Sequence, residues 1–371
     1  MQVRIVTDDF TSATDGAVAF ARLCGGAQVA LDVEQLAAQG GRHAAMPGAW
    51  SVDTDSRHCT ADEAGRRVAR CARAWAQADV LIKQFDSTLR GPLATECAAA
   101  WQASGRGRLL IVPAFPAAGR TTQGGRVFVH GVEVHRTAFA RDPLSPVTES
   151  SVPALFAALD VQLAVASDAD AASSAFDRGL RSLIVDVRDE VELALVARRF
   201  CADRSILWAG STGIARALAQ ALGAPGNDLA NPPPRMPVCA SPWVLIGSRH
   251  PTSREQAAVL RLERPKMRVL ATADEPQAPW LASASLATEA CHAIANGQCD
   301  GVVATGGETA KALAQALQAR SMEVLKEVEP GVPLALLDFP SGRLAIVTKA
   351  GGFGHARTLV ACVDELMGVA V

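Results

Sequence analysis

Residues 3–23 read VRIVTDDFTSATDGAVAFARL, and this stretch decides the fold class. Residues 3–6 form a short apolar run, a polar loop rich in aspartate follows, and the apolar residues from about residue 17 onward are spaced as in a helix. A strand, a polar loop and a helix in succession are typical of the opening unit of an α/β protein. The stretch therefore predicts a first strand whose end carries Asp8 and Asp9.

The same pattern recurs along the chain. Further apolar runs begin near residues 49, 80, 108, 162, 182, 205, 243, 267, 301, 332 and 344. Helical patterns lie between most of them, and this alternation predicts an α/β fold with mostly parallel sheets flanked by helices. Within residues 117–147, VFV and VEV flank His130 and Gly131, which predicts a small β-hairpin.

Residues 223–242, GAPGNDLANPPPRMPVCASP, interrupt this alternation. Three consecutive prolines cannot continue a helix or a central strand. We therefore predict two domains, residues 1–225 and 243–371, joined by a Pro/Gly-rich linker, residues 226–242. The alternative is that the segment is only a long surface loop.

Composition excludes several classes of function. The chain has 371 residues, 36 basic and 38 acidic, so it carries no overall charge for binding nucleic acid. It has neither the basic and apolar pattern of a signal peptide nor an apolar run long enough to span a membrane. None of the nine cysteines forms a C-x-x-C pair, which favours free thiols in a reducing compartment. We predict a cytoplasmic protein without a nucleic-acid or membrane partner.

Three predicted strands in the first half end in loops dense with charge. These loops carry Asp8, Asp9, Asp53, Asp55, Arg57, Lys83, Asp86 and Arg90. Ligands of parallel sheets bind at the carboxyl ends of strands, so the loops together favour a site, although each residue alone could be a helix cap or a solvated loop residue. Three basic residues, Arg57, Lys83 and Arg90, could neutralise a carboxylate.

The acidic and hydroxyl side chains of the same loops suggest a different role. Asp9, Asp86, Ser87 and Thr88 could form hydrogen bonds with sugar hydroxyl groups. An aspartate beside a reacting hydroxyl could orient it or accept its proton. The first half therefore predicts a site for a small, hydroxyl-bearing anion.

Glycine-rich loops follow three predicted strands of the second half. They are residues 247–248, 305–309 and 349–354. Glycine lets backbone N–H groups approach phosphates, and a helix amino terminus behind such a loop adds a favourable dipole. Neither the Walker A motif nor a complete G-x-G-x-x-G fingerprint is present, so the pattern indicates only a phosphate-bearing ligand. The five-residue spacing of His130 and His135 on a hairpin disfavours a transition-metal site.

Family-like motifs run nearly from end to end of the chain. The first half holds VTDDFTSATDGAV (residues 6–18), VDTDSR (52–57), KQFDSTLRG (83–91), PAFPAAGRTTQGG (113–125) and FARDPLSPV (139–147). The second half holds IGSRHPTSREQ (246–256), ATGGETA (304–310), EPGVP (329–333) and KAGGFG (349–354). Together they resemble the motifs of the four-carbon acid sugar kinases. Ser12 and Ala350 stand where the family pattern has glycine and serine.

This resemblance implies an amino-terminal domain for the sugar acid and a carboxyl-terminal domain for ATP, with the active site in the cleft between them. By the family motifs, Asp9, Arg57, Lys83, Gln84, Phe85 and Asp86 would contact the acid. Ser248, Gly306, Gly307, Glu308, Thr309 and Gly351 would contact the nucleotide. We expect Asp9, Asp86 and Arg90 to be the catalytic residues, with Asp9 or Asp86 orienting or deprotonating the attacking hydroxyl.

The reaction implied by the resemblance is transfer of the γ-phosphoryl group of ATP to the terminal hydroxyl of D-threonate, D-erythronate or an oxo-tetronate. Mg²⁺ would bridge the β- and γ-phosphate oxygens. A non-catalytic sensor of sugar acid or nucleotide on the same scaffold is one alternative, and a dehydrogenase is another. A homodimer is the commonest assembly of soluble oligomers and is our expectation here.

Overall fold

The chain is described by a computed structural model covering residues 1–38, 46–142, 144–159, 161–223, 238–272 and 279–369. It forms two compact units, the first holding Met1–Cys24 and Asp32–Leu229, the second Gly25–Leu31 and Ala230–Val371. The sequence does not indicate that Gly25–Leu31 belongs with the second unit. Most of the predicted linker, residues 226–237, lies outside the described residues.

The described strands are β1 (Gln2–Thr7), β2 (Ala27–Ala30), β3 (Gly48–Asp53), β4 (Val80–Gln84), β5 (Arg108–Val112), β6 (Arg120–Gln123), β7 (Arg126–Val129), β8 (Val132–Glu133), β9 (Ala164–Ala166), β10 (Ser182–Val185), β11 (Ile206–Gly210), β12 (Pro242–Ile246), β13 (Arg268–Ala271), β14 (Gly301–Thr305), β15 (Ser321–Glu329), β16 (Val332–Phe339) and β17 (Gly342–Lys349).

The described α-helices are α1 (Phe10–Cys24), α2 (Val33–Ala38), α3 (Ala61–Ala74), α4 (Leu93–Ser104), α5 (Val152–Phe156), α6 (Ala169–Asp177), α7 (Glu190–Phe200), α8 (Thr212–Leu222), α9 (Pro251–Glu263), α10 (Pro279–Ala295), α11 (Gly307–Ala316) and α12 (Thr358–Leu366). Among the residues the structure describes, no helix is both long and apolar enough to cross a lipid bilayer.

The main sheet of the first unit has the strand order β3-β1-β4-β11-β5-β10-β9. Every neighbouring pair in it is parallel, as the alternation of strands and helices predicts. Strand β1 lies between β3 and β4, with Thr7 opposite Asp53 and Val6 opposite Lys83. This register brings the three charged loops to one edge of the sheet.

Helix α1 begins earlier than the sequence suggests. We predicted a polar loop up to about residue 16, but the helix starts at Phe10, directly after Asp9. The Oδ1 atom of Asp9 accepts a hydrogen bond from the backbone N–H of Ser12 (2.7 Å), which stabilises the first turn. The polar side chains of this turn are buried by tertiary packing, so their polarity was a misleading sign of a loop.

A small antiparallel sheet, β6-β7-β8, follows β5. The predicted hairpin around His130 and Gly131 is confirmed: both residues have positive φ (49° and 80°), and Val129 pairs with Val132. Two positive φ values are what a two-residue hairpin turn requires. Strand β6 was not predicted, and it joins β7 through Gly124 and Gly125.

The sheet of the second unit has the strand order β13-β12-β14-β17-β16-β15-β2. The pairs among β13, β12, β14 and β17 are parallel, whereas the pairs from β17 through β16 and β15 to β2 are antiparallel. The sequence predicted neither the antiparallel half nor β15, because Glu323, Lys326 and Glu327 make that strand look polar. The parallel half places three glycine-rich loops at neighbouring strand ends.

Candidate functional site

Arg57 is the centre of a charged cluster at the strand ends of the first unit. Its Nε and Nη2 atoms donate to the two carboxylate oxygens of Asp8 (2.8 and 3.0 Å), and its Nη1 atom donates to Asp9. Burial works against its charge, but the carboxylates of Asp8, Asp9 and Asp86 raise the pKa of Arg57 well above its usual value. Nη2 also donates to Ser12 Oγ (3.1 Å), so all three nitrogens of this guanidinium donate to side chains of the first unit.

Asp86 and Arg90 form a second ion pair in the loop after β4. Arg90 Nε donates to Asp86 Oδ2 (2.6 Å), and its Nη1 donates to Asp142 Oδ2 (3.3 Å). Thr88 Oγ1 donates to Asp86 as well. Burial opposes ionisation of Asp86, yet the charges of Arg90 and Arg57 hold its pKa well below the usual range. Asp86 is therefore a carboxylate at any physiological pH.

Lys83 belongs to the interior of the first unit. Its ammonium pairs with Glu96 (2.9 Å) and donates to the carbonyl oxygen of Gln84 (2.8 Å), and both charged side chains are almost completely buried. Burial lowers the pKa of Lys83, but the carboxylates of Glu96 and Asp8 raise it by more. The sequence predicted that Lys83 contacts a ligand, whereas its hydrogen bonds are made within the protein.

Gln84 and Phe85 are likewise buried in the first unit. Gln84 Nε2 donates to the carbonyl oxygen of Ser12 (2.9 Å) and to Thr212 Oγ1 (3.1 Å). Every residue of β4 is buried because the strand lies in the middle of a parallel sheet covered on both faces. Gln84 thus connects α1 and α8, and the predicted residues whose side chains stay partly exposed at the edge of this site are Asp9, Asp86 and Arg90.

Arg120 was missed by sequence reasoning. It begins β6, in the segment that follows β5, and the charges of Asp86 and Arg90 act on its half-buried guanidinium. A signal was available, since the loop that carries it follows a fourth predicted strand.

The three glycine-rich loops of the second unit lie together. The backbone N–H of Gly247 donates to the Thr305 carbonyl (3.2 Å), and that of Gly306 donates to the Lys349 carbonyl (2.8 Å). A Cβ atom on Gly306 would be only 3.6 Å from the backbone nitrogen of Ser248. The sequence placed Ser248, Gly306 and the loop after Lys349 in one site, and the structure brings all of them to the same edge.

Two of these glycines have no room for a side chain. A Cβ on Gly351 would overlap the Ser248 hydroxyl and lie 2.8 Å from Ser248 Cβ. A Cβ on Gly247 would overlap the Thr309 hydroxyl and lie 3.0 Å from Thr309 Cβ. The loops therefore approach each other closely through bare backbone, which is the arrangement that exposes N–H groups to an anion.

The loop at residues 350–353 is organised by Lys349. Its buried Nζ donates to the carbonyl oxygens of Ala350 (2.9 Å), Gly351 (3.2 Å) and Phe353 (3.1 Å). Burial lowers the pKa of Lys349 to about 8, despite the nearby Glu329 and Cys362, which act in the opposite direction. Because three carbonyl oxygens of the loop accept hydrogen bonds from the ammonium of Lys349, this charged side chain fixes the backbone conformation of the loop.

The remaining predicted residues of the second unit lie at the start of α11. Glu308 is in its first turn with an exposed side chain. Thr309 is buried, and its hydroxyl lies 3.3 Å from Ser283 Oγ. Gly306 precedes the helix with a φ of 94°, which an L side chain rarely adopts. The amino terminus of α11 and the backbone of Gly306 thus lie side by side, and backbone N–H groups in this arrangement are suited to bind phosphate.

Sequence models of known families match both units. A model of sugar-binding N-terminal domains matches residues 3–218, and a model of nucleotide-binding C-terminal domains matches residues 276–359. The first alone spans more than half of the chain. Both domain types are those that the sequence motifs implied.

Curated relatives cover almost the whole chain. A D-threonate kinase of Bordetella bronchiseptica is 31% identical, over 96% of this chain and 96% of its own. A D-threonate kinase of Cupriavidus necator is 32% identical, over 96% and 95%. A D-erythronate kinase of Heliobacterium modesticaldum is 27% identical, over 98% and 97%.

Solved structures share the architecture. A Bordetella bronchiseptica protein of unknown function, crystallised with citrate as a domain-swapped dimer, is 28% identical with a TM-score of 0.53 over 98% of both chains. A Salmonella typhimurium protein described as a putative tRNA synthase has a TM-score of 0.75 at 20% identity, over 98% of this chain and 99% of that one, and its likeness concerns the fold alone. A sugar-binding domain model matches residues 3–218, and the curated kinases align with almost the whole chain. The chain therefore belongs to the four-carbon acid sugar kinase family.

Proposed function

We propose that this protein is a kinase that transfers the γ-phosphoryl group of ATP to the terminal hydroxyl of a four-carbon sugar acid. The observation that carries the proposal is the presence of two different sites in one chain. The first unit offers an Arg/Asp cluster suited to a hydroxylated anion, and the second offers converging glycine loops suited to phosphate. A protein that only sensed one ligand would need one of these sites.

Asp9 is the residue we assign to the attacking hydroxyl. Its side chain is 26% exposed, whereas that of Asp86 is 13% exposed and bonded to Arg90 and Thr88. The lowered pKa of Asp86 makes it a poor proton acceptor. Because phosphoryl transfer has a loose transition state, orientation of the hydroxyl matters more than strong base catalysis. Asp86 and Arg90 then act by holding the acid and the surrounding charges in place.

Mg²⁺ fits this chain as an ion carried mainly by the nucleotide. The described residues contain no group of three His, Cys, Asp or Glu side chains that could hold a metal, and Mg²⁺ is often bound by one or two carboxylates together with substrate phosphates and water. Glu308, exposed in the first turn of α11, is the carboxylate that would complete its coordination. When bound, the ion neutralises charge on the phosphate oxygens.

Replacing Gly351 with alanine is expected to weaken ADP binding by at least about tenfold, because the new Cβ would overlap the Ser248 hydroxyl and push two phosphate-binding loops apart. Isothermal titration calorimetry with ADP measures this directly. Gly107→Ala is the matched control, since its Cβ would meet Ser205 Cβ at an ordinary 3.8 Å. Equal ADP affinity in the Gly351→Ala variant and the wild type would exclude this loop from the nucleotide site.

Nucleotide affinity is expected to fall above pH 8. The pKa of Lys349 is about 8, so its ammonium is charged below that pH and loses its proton above it. Bound phosphate favours the charged form, so binding above pH 8 must take up a proton and can weaken by up to about tenfold per pH unit. Calorimetry of ADP binding in two buffers of different ionisation enthalpy measures this uptake. The Lys349→Met variant should show no such uptake, and identical pH profiles in the two proteins would refute the assignment.

The decisive test of the reaction is ADP release with ATP and Mg²⁺ across D- and L-threonate, D- and L-erythronate and the oxo-tetronates. D-threonate comes first, since two relatives that are 31% and 32% identical are named D-threonate kinases. Turnover with one acid well above the ATP-only rate would establish the kinase and its substrate. Binding of ATP and acid without turnover would instead indicate the sensor, and a thermal shift with NAD but not ATP would indicate the dehydrogenase.

Two finer expectations accompany this proposal. A cytoplasmic location agrees with the absence of a membrane-spanning helix among the described residues, but fractionation must test it. A homodimer is suggested by the domain-swapped dimer of the Bordetella bronchiseptica protein, and light scattering would show it.

A further inference from the structure

Arg120 is a half-buried cation that forms no direct ion pair with any carboxylate among the described residues. Its Nη1 atom donates to the Ala118 carbonyl, and its Nε atom is buried without a hydrogen-bond partner. Across the described part of the chain, no acidic side chain lies within ion-pair distance of its guanidinium. A buried donor left without a partner costs free energy, and a bound ligand is one common explanation.

The other two arginines of the first-unit cluster differ from Arg120 in this respect. Arg57 is shared between Asp8 and Asp9, and Arg90 is shared between Asp86 and Asp142. Their carboxylate partners raise the pKa of both guanidinium groups. The pKa of Arg120 is lowered instead, chiefly by burial. The negative charge of Asp86 offsets only part of this lowering, and the positive charge of Arg90 adds to it.

We propose that Arg120 binds the carboxylate of the sugar acid and makes the enzyme selective for acids over uncharged polyols. This assignment rests on the kinase activity proposed above. A guanidinium offers a planar fork that matches a carboxylate, and the forks of Arg57 and Arg90 are already occupied by aspartates. Its closeness to Asp86 and Arg90 places it beside the residues that hold the substrate.

A second consideration favours Arg120 over Lys83 as the carboxylate-binding residue. Lys83 is completely buried and paired with Glu96, so it cannot reach a ligand without breaking that pair. Arg120 begins the small antiparallel sheet, and its backbone is held by two hydrogen bonds with Phe115 (2.9 and 3.0 Å). A firmly held backbone positions the side chain before the acid arrives, which reduces the entropic cost of binding.

The test compares wild type with Arg120→Met and Arg120→Lys, using the acid that the wild type phosphorylates best and the uncharged four-carbon alditol of the same stereochemistry. We expect Arg120→Met to raise the KM for the acid about 100-fold, because a charge-assisted bidentate contact is lost. The kcat should change less than about threefold, since the carboxylate carries the same charge in the ground state and the transition state. The KM for the alditol should not change.

Arg120→Lys keeps the charge but loses the fork, so an intermediate rise of about tenfold in KM is expected. Arg188→Gln is the matched control, since Arg188 is 72% exposed and lies just before α7, where its ion pair among the described residues is with Glu192. If Arg120→Met does not fold, as judged by circular dichroism and Tm, the KM of Arg120→Lys decides the question.

Three outcomes would overturn the assignment. They are an unchanged KM for the acid, an equal rise in KM for acid and alditol, and a fall in kcat alone. Failure of the kinase proposal is distinguishable, because it would appear as wild-type protein that phosphorylates no acid. Calorimetric titration of each acid into wild type and Arg120→Met would then still test carboxylate binding, with loss of the wild-type signal expected in the variant.

Discussion

The Asp9→Asn variant is expected to lose about 10²- to 10⁴-fold in kcat while remaining folded. Asparagine keeps the oxygen that accepts the Ser12 N–H at the start of α1, so the helix cap survives. It loses the negative charge that pairs with Arg57 and that, in the proposed role, orients the attacking hydroxyl. Steady-state kinetics at saturating acid and ATP would measure the effect, with the KM for ATP unchanged.

Asp189→Asn provides a matched control for this variant. Asp189 caps α7 in the same way, accepting a hydrogen bond from the Glu192 N–H (2.9 Å), but it takes no part in the Arg57 cluster. Its activity should equal that of the wild type. A kcat for Asp9→Asn within about threefold of wild type would remove Asp9 from its proposed role and leave Asp86 as the remaining carboxylate to test.

The Lys83→Met variant is expected to destabilise the first unit by about 3–5 kcal/mol, because it leaves Glu96 buried without its partner. Urea denaturation followed by far-UV circular dichroism would measure the free energy of unfolding. Because Glu96 and Asp8 raise the pKa of Lys83 above its ordinary value, the side chain stays charged in the folded state in neutral and mildly alkaline solution, and its stabilising effect is lost only as pH rises through the folded pKa. The destabilisation should therefore be the same at pH 6 and pH 9.

Combining Lys83→Met with Glu96→Gln should recover most of the lost stability, because the double variant contains no unpaired buried charge. Arg188→Gln, which breaks the exposed pair with Glu192, should leave the denaturation midpoint unchanged. If Lys83→Met has wild-type stability but does not bind the acid, Lys83 contacts the ligand as the sequence motif implied, and its structural role would be wrong.

The general position of both candidate sites could be predicted from the sequence. Parallel strands place their carboxyl ends at one edge, so the loops carrying Asp9, Arg57 and Asp86 had to meet once the strand pattern was recognised. The same reasoning placed Ser248 and Gly306 together in the second unit. These predictions needed only the period of the apolar residues and the positions of the loops.

The roles of individual side chains could not be predicted in this way. Lys83, Gln84 and Phe85 follow one another in a motif that resembles a binding site, yet all three are buried, and the side chains of Lys83 and Gln84 are bonded within the protein. The sequence does not reveal whether a charged residue such as Lys83 pairs with a ligand or with another side chain of the protein, here Glu96. Only the three-dimensional distances distinguish the two cases, because partners such as Lys83 and Glu96 are brought together by packing.

The sequence by itself determined the α/β class, the family, and the loops that carry the chemistry, because these depend on local periodicity and on motifs of contiguous residues. The tertiary structure alone decided that α1 starts at Phe10, that Gly25–Leu31 joins the second unit, and that half of the second sheet is antiparallel. Among the described residues, it also decided that Arg57 and Arg90 pair with carboxylates at the first site and that Arg120 does not. Each of these features depends on contacts between residues far apart in the chain, and no local pattern of polarity records such contacts.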